Sequence, residues 1–125
     1  MKQALIVGAG GFGGCIARYL VGVLVTRLLN APVFPYATLL VNIVGCLLIG
    51  VLGGLAQSTR VLSPELQLLL ITGLLGGFTT YSTFGYQAVT LLRDGYLTTA
   101  ILFVATHLAL GLWAVWFGLF LVRAR

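Results

Sequence analysis

Charge is what this sequence has least of. Only 7% of its 125 residues are Asp, Glu, Lys or Arg, where a soluble domain carries roughly 25%. Acid is scarcer still, with Glu65 and Asp94 the only 2 carboxylates. No pair remains for general acid–base work. The 1 histidine, His107, has no acidic partner in its own apolar stretch, and no nucleophile or metal cluster can be assembled. That inventory argues against an enzyme. Cysteine is also sparse. Cys15 and Cys46 both fall inside apolar stretches, which argues against a disulfide framework or a zinc pattern and for small buried hydrophobes. The 7 basic residues are scattered along the chain, unlike the clustered face of a nucleic-acid binder.

What the chain has in abundance is apolar length. Hydrophobic residues make up 60% of it. Residues 36–56, 66–92 and 96–122 carry no charge, and residues 4–26 carry only Arg18. Each stretch reaches or exceeds the ~20 residues that cross a hydrocarbon core about 30 Å thick. The first is too long and too rich in glycine for a cleaved signal peptide. The expectation is an all-α integral membrane protein, a single four-helix transmembrane domain over residues 1–125.

Local signals place the helices. The first runs over 4–29, and a loop holding Asn30, Ala31, Pro32 and Pro35 follows it. The second continues to about 57, ahead of a polar connection at Ser58, Thr59 and Arg60. Ser63 is a natural N-cap, with Pro64 in the first turn and Glu65 favoured there by the helix dipole. Arg93, Asp94 and Gly95 form a tight turn before a fourth helix over 96–122. Four crossings put both termini on one side, with Lys2, Arg60, Arg123 and Arg125 there and Arg27 and Arg93 opposite. That bias is weak by the positive-inside rule and allows insertion either way round. Glycines four apart, at Gly10 and Gly14, Gly50 and Gly54, and Gly73 and Gly77, let membrane helices approach closely, within one chain or between two. A bundle this small fills its own interior, so an aqueous route would lie between subunits.

One motif misleads. Gly8, Gly10 and Gly13 form a G-x-G-x-x-G after an apolar run. A dinucleotide site also needs an acidic residue about 20 positions later, and no Asp or Glu occurs before Glu65. The informative segment is GLLGGFTTYSTF over 73–84. Gly76 and Gly77 make a poor helix interior, and a break at bilayer depth frees carbonyls that protein, water or an ion must satisfy; a glycine kink repaired by threonine hydroxyls is the alternative. Tyr81 and Phe84, three apart, share a helix face, and ring edges carry a partial positive potential that favours an anion. Asn42, an amide in an apolar helix, needs a partner and serves as interhelical glue or as a donor to an ion. Arg18 is the only formal charge well inside a span, either functional or snorkelling to the interface. His107 is either neutral glue between helices or part of a pore.

Taken in order, GGFGGCIARY over 10–19, TLLVNIVGCLLIG over 38–50, GLLGGFTTYSTF over 73–84 and four spans in so short a chain resemble the Fluc/CrcB family of fluoride channels. The TTYSTF segment after a double glycine is the most specific part. The resemblance implies a break in the third helix, an antiparallel dual-topology homodimer and two fluoride pores. It implies a structural Na+ at the dimer interface, held by the backbone carbonyls of Gly76 and Thr79 of each subunit. It implies a pore with Asn42 and the aromatic pair Tyr81 and Phe84, with Ser82 and Thr83 as nearby hydroxyls. Three features depart from the family pattern. Tyr81 stands where Phe is usual, Gln87 where Glu is usual, and the fourth helix offers Phe103, His107 and Gly111 in place of a polar stripe. The implied activity is passive export of cytoplasmic fluoride across the bacterial plasma (inner) membrane. A small multidrug exporter would need a membrane-embedded Glu, which this chain lacks. A membrane subunit that only packs against a partner is the other alternative.

Overall fold

In the computed structural model, residues 1–30, 33–58 and 62–124 are described. Ala31, Pro32, Thr59, Arg60 and Arg125, which entered the loop and charge readings above, lie outside them. Six α-helical segments and one π-helix make four spans. These are α1 (Lys2–Leu28), α2 (Tyr36–Ser58), α3 (Pro64–Gln67), a π segment (Leu68–Leu75), α4 (Gly76–Phe78), α5 (Tyr81–Arg93) and α6 (Leu97–Arg123). The third span, Pro64–Arg93, is thus composite and 30 residues long. No span has more than 22% of its most apolar 18-residue window buried. Lipid must solvate the rest, so this is a multi-pass integral membrane protein.

The ends follow from local chemistry. Ser63 caps α3, its Oγ accepting from the Leu66 N–H at 3.2 Å, with Pro64 in the first turn. Gly95 takes a positive φ of 84° in the turn before α6, a conformation open to glycine without a Cβ penalty. Lys2 and Glu65 approach within 3.8 Å, so the chain start and the start of the third span share one end of the bundle. Both side chains are exposed, and such a pair adds little stability.

Two close helix pairs build the protomer. The first half of the third span packs along α1, and α2 packs along α6. The glycines permit both contacts. A β-carbon at Gly14 would overlap the Leu74 carbonyl and lie 2.8 Å from the Phe78 nitrogen. One at Gly118 would lie 2.5 Å from the Leu47 carbonyl and 3.0 Å from the Gly50 Cα. Gly10, Gly73 and Gly77 also face backbone across the first pair, and Gly54 faces Val122 across the second. All three four-residue glycine pairs are therefore consumed inside one protomer. They offer no glycine face for a second copy, which corrects their reading as a possible intersubunit contact.

The third span changes partner halfway. Its π segment and α4 lie on α1, whereas α5 lies on α6. There Ala88, Leu91, Ala100 and Phe103 form a small buried cluster, with Phe34, Leu39, Phe84 and Val104 packed against it. The π-helix was not legible in the sequence. Such segments favour functional sites, and this one leads directly into the break.

The glycine contacts are testable. Gly14→Ala is expected to destabilise the protein by about 1–3 kcal/mol, as overpacking does. Gly8→Ala, with nothing within 4 Å of the added carbon, should be neutral or slightly stabilising. Thermal unfolding in detergent measures both, and equal melting temperatures would show that these helices are not so close.

Candidate functional site

The break lies two residues beyond the double glycine. Gly76 and Gly77 are still helical, and the chain turns extended at Thr79 (φ −89°, ψ 156°) and Thr80 (φ −145°, ψ 119°). In a continuous helix the Thr80 N–H would reach the Gly76 carbonyl four residues back. Here it donates to Asn42 Oδ1 at 3.0 Å instead. Asn42 Nδ2 returns a bond to the Thr80 carbonyl at 3.3 Å. Asn42 on α2 thus replaces the helical acceptor of the Thr80 N–H and adds a second donor to the Thr80 carbonyl, which as N-cap of α5 also opens the next helix, and the Gly76 carbonyl loses its helical donor. The Thr79 hydroxyl and N–H both donate to the Leu75 carbonyl, each at 3.0 Å. Hydroxyl repair and a true break therefore coexist.

Beside the break lies an open groove of about 380 Å³. Asn42 and Cys46 line it from α2, Gly76, Thr79 and Thr80 from the break, Tyr81 and Phe84 from α5, and His107 and Gly111 from α6. Four of the residues singled out for the pore thus meet in one place: Asn42, Tyr81, Phe84 and His107. Gly76 and Thr79 join them. Ser82 and Thr83 do not line the groove, nor does Arg18. Arg18 sits on α1 with Nη2 3.6 Å from Cys15 Sγ. Cys46 was read from sequence only as a small hydrophobe. Its spacing of four from Asn42 is the signal that puts both on one face.

The rings form a continuous set. Tyr81 and Phe84 have centroids 5.7 Å apart. Phe84 is 4.5 Å from the His107 ring and 5.5 Å from Phe103, and Phe103 is 4.4 Å from His107. Phe103 is wholly buried, whereas Tyr81 is 85% exposed on the protomer. Phe84 thus has one side in the core cluster and the other on the groove. A second cavity of about 380 Å³ is lined by Thr38, Gln87, Thr90 and Asp94 among others. Gln87 Oε1 and His107 Nε2 are the two buried side-chain polar atoms without a partner among the described residues.

A broken membrane helix, amide and aromatic groups along an open groove, and four lipid-solvated spans define a small multi-pass membrane protein built around a helix break. The family model described as "CrcB-like protein, Camphor Resistance (CrcB)" matches residues 5–119. The chain belongs to this CrcB family. A protein of Chlorobaculum tepidum named "Fluoride-specific ion channel FluC" is 50% identical over 123 residues, covering 98% of this chain and 96% of that one. Proteins of the same name from Rhizobium etli (45% over 124 residues, 99% and 98% covered) and Methylobacillus flagellatus (42% over 123 residues, 98% and 96% covered) are similar over the same length.

Removing the Asn42 side chain would leave the Thr80 N–H without its acceptor. Asn42→Ala is expected to cost about 1–3 kcal/mol, the penalty of a buried unpaired polar group. Asn42→Asp keeps an acceptor for Thr80 N–H and should lose less than Asn42→Ala if that bond dominates. Melting temperatures in detergent decide the order.

Proposed function

We propose that this protein is a fluoride-selective channel, not an enzyme, exporting cytoplasmic fluoride passively across the bacterial plasma (inner) membrane. It acts as a single four-helix transmembrane domain paired with a second copy as an antiparallel dual-topology homodimer. The observation that carries this reading is the groove at the Thr79–Thr80 break, in a chain whose full-length relatives bear the name of fluoride channels. Hydrogen fluoride crosses a membrane neutral and ionises in a near-neutral cytoplasm. A channel for the ion lets it leave down its gradient, helped by the negative interior.

The chemistry suits a small, strongly hydrated anion. A pore must replace its water with donors yet release it again. Asn42 spends one N–H on the Thr80 carbonyl, and a primary amide has a second. Tyr81 and Phe84 add ring edges with partial positive charge. Ser82 and Thr83 lie outside the groove of one protomer and would serve the pore as nearby hydroxyls. Arg18, the formal charge well inside the first span, would raise the local potential near the pore. The only acids are at span ends, Glu65 in the first turn of the third span and Asp94 just after it. No carboxylate therefore repels an anion from the middle of the membrane. The same lack weighs against a proton-coupled cation exporter.

The open groove and the exposed Tyr81 ring favour closure by a second copy. A structural Na+ fits the break. The Gly76 carbonyl has lost its helical donor, and Thr79 stands in extended backbone beside it. Carbonyl oxygens are hard ligands suited to such a cation. Gly76 and Thr79 of each copy would hold it, and its charge would bind the two broken helices together.

Purified protein in liposomes should release fluoride, followed by electrode. Phe84→Ile, which keeps bulk and removes the ring quadrupole, should nearly abolish release, while Tyr81→Phe should be mild. Full release by a folded Tyr81→Ile, Phe84→Ile protein would reduce both rings to packing. Accessibility labels at the C-terminus should report both membrane faces, and a single orientation would sink the antiparallel dimer. Anomalous scattering after a Tl+ soak should mark the Gly76 and Thr79 carbonyls.

A further inference from the structure

We propose that His107 is a proton-switched anion-coordinating residue, so that protonation of its ring raises conduction of the permeating anion. This rests on the channel reading above and adds a role for a side chain that the reading leaves unassigned.

The ring is fixed by one bond. His107 Nδ1 lies 2.9 Å from the Phe103 carbonyl oxygen, one turn back on α6. A carbonyl only accepts, so Nδ1 carries the hydrogen. In the neutral ring Nε2 is then a bare lone pair. That atom is buried and has no hydrogen-bond partner among the described residues. The Thr38 carbonyl also approaches the ring, but not in hydrogen-bond geometry with Nε2. Phe84 and Phe103 hold the imidazole between them. A half-turn of the ring would forfeit the bond to Phe103.

The sign of the effect follows. His107 lines the groove, and a bare lone pair on its ring is repulsive to a nearby anion, so the neutral ring opposes passage there. Protonation converts Nε2 into a charged N–H donor. An anion then gains a charge-assisted hydrogen bond, stronger than one to a neutral donor, and competes with the neutral Thr38 carbonyl for it. Gln87, the other residue with an orphan acceptor, can offer an N–H by rotating its terminal amide. His107 is pinned, and only a proton can change what it presents. Few groups interfere. From α2 the groove receives Cys46, from α5 Tyr81, and from α6 no titratable group besides His107 itself. Asp94 lies in the second cavity, and no formal charge lines the groove.

Two measurements test this. The first is fluoride efflux from proteoliposomes with equal pH on both sides, from about pH 7.5 to about pH 5.5. Release by protein-free liposomes, which reports hydrogen fluoride leak, is subtracted. Histidine is the side chain whose charge changes within this window. Wild-type efflux is expected to rise at least about 3-fold on acidification. His107→Gln and His107→Asn, which offer an amide N–H at every pH, should show no such rise. A flat wild-type profile, or the same rise in His107→Gln, overturns the switch while leaving the channel intact. No fluoride release at any pH overturns the channel reading and the switch with it.

The second measurement needs no variant. The chain contains 1 histidine, so with any tag removed its ring resonances are unambiguous in detergent. Coupling between two ligands is reciprocal. If the proton favours fluoride at this site, fluoride must favour the proton. Added fluoride should move the ring's titration to higher pH, and chloride at the same concentration should not. A titration indifferent to fluoride overturns the proposal.

Discussion

The exchange of hydrogen bonds between Asn42 and Thr80 is the constraint on which the rest of this structure depends. A helix in lipid cannot simply stop, because every freed N–H and C=O must find a partner without water. One amide side chain from α2 accepts from the freed Thr80 N–H at 3.0 Å and donates to the Thr80 carbonyl at 3.3 Å. With that arranged, the third span can abandon α1 halfway and run its second half along α6. The groove is the space opened by that change of partner. Tyr81 and Phe84 reach it because α5 begins immediately after the break, and His107 reaches it because α5 lies on α6.

The close packing around the break serves the same end. Transmembrane helices gain no hydrophobic drive from one another, since lipid is as apolar as they are. Contact must come from shape. Gly14 against Leu74 and Gly118 against Gly50 bring backbones together without side chains between them. Those two tight pairs hold the protomer while both tryptophans and many of its leucines face outward.

Much of this was legible in the sequence. The four spans, the Ser63 cap and the Gly95 turn followed from hydropathy and local propensity, because those depend on neighbours in the chain. The sequence also pointed to a break near the double glycine. It did not place the break at Thr79 and Thr80, because that position is fixed by Asn42, thirty-eight residues away in sequence. The π segment and the choice of helix partners were hidden for the same reason. The glycine spacings signalled close approach but not its address, and packing within one chain, the reading expected for some of the pairs, holds for all three. At the groove, spacing of three and four brought out Tyr81 with Phe84 and could have brought out Cys46 with Asn42. The orientation of His107, with one nitrogen engaged and the other bare, depends on backbone geometry that composition does not encode.

The length of the third span has a mechanical consequence. Thirty residues of ideal helix would measure about 45 Å, against a hydrocarbon core of about 30 Å. The excess must be taken up by tilt and bending, and a helix yields where its hydrogen-bond ladder is already interrupted. The Thr79–Thr80 joint is therefore where bilayer thickness is felt. Lipids that thin or thicken the membrane pull on the same few residues that shape the groove, making the surrounding acyl chains part of the site's geometry.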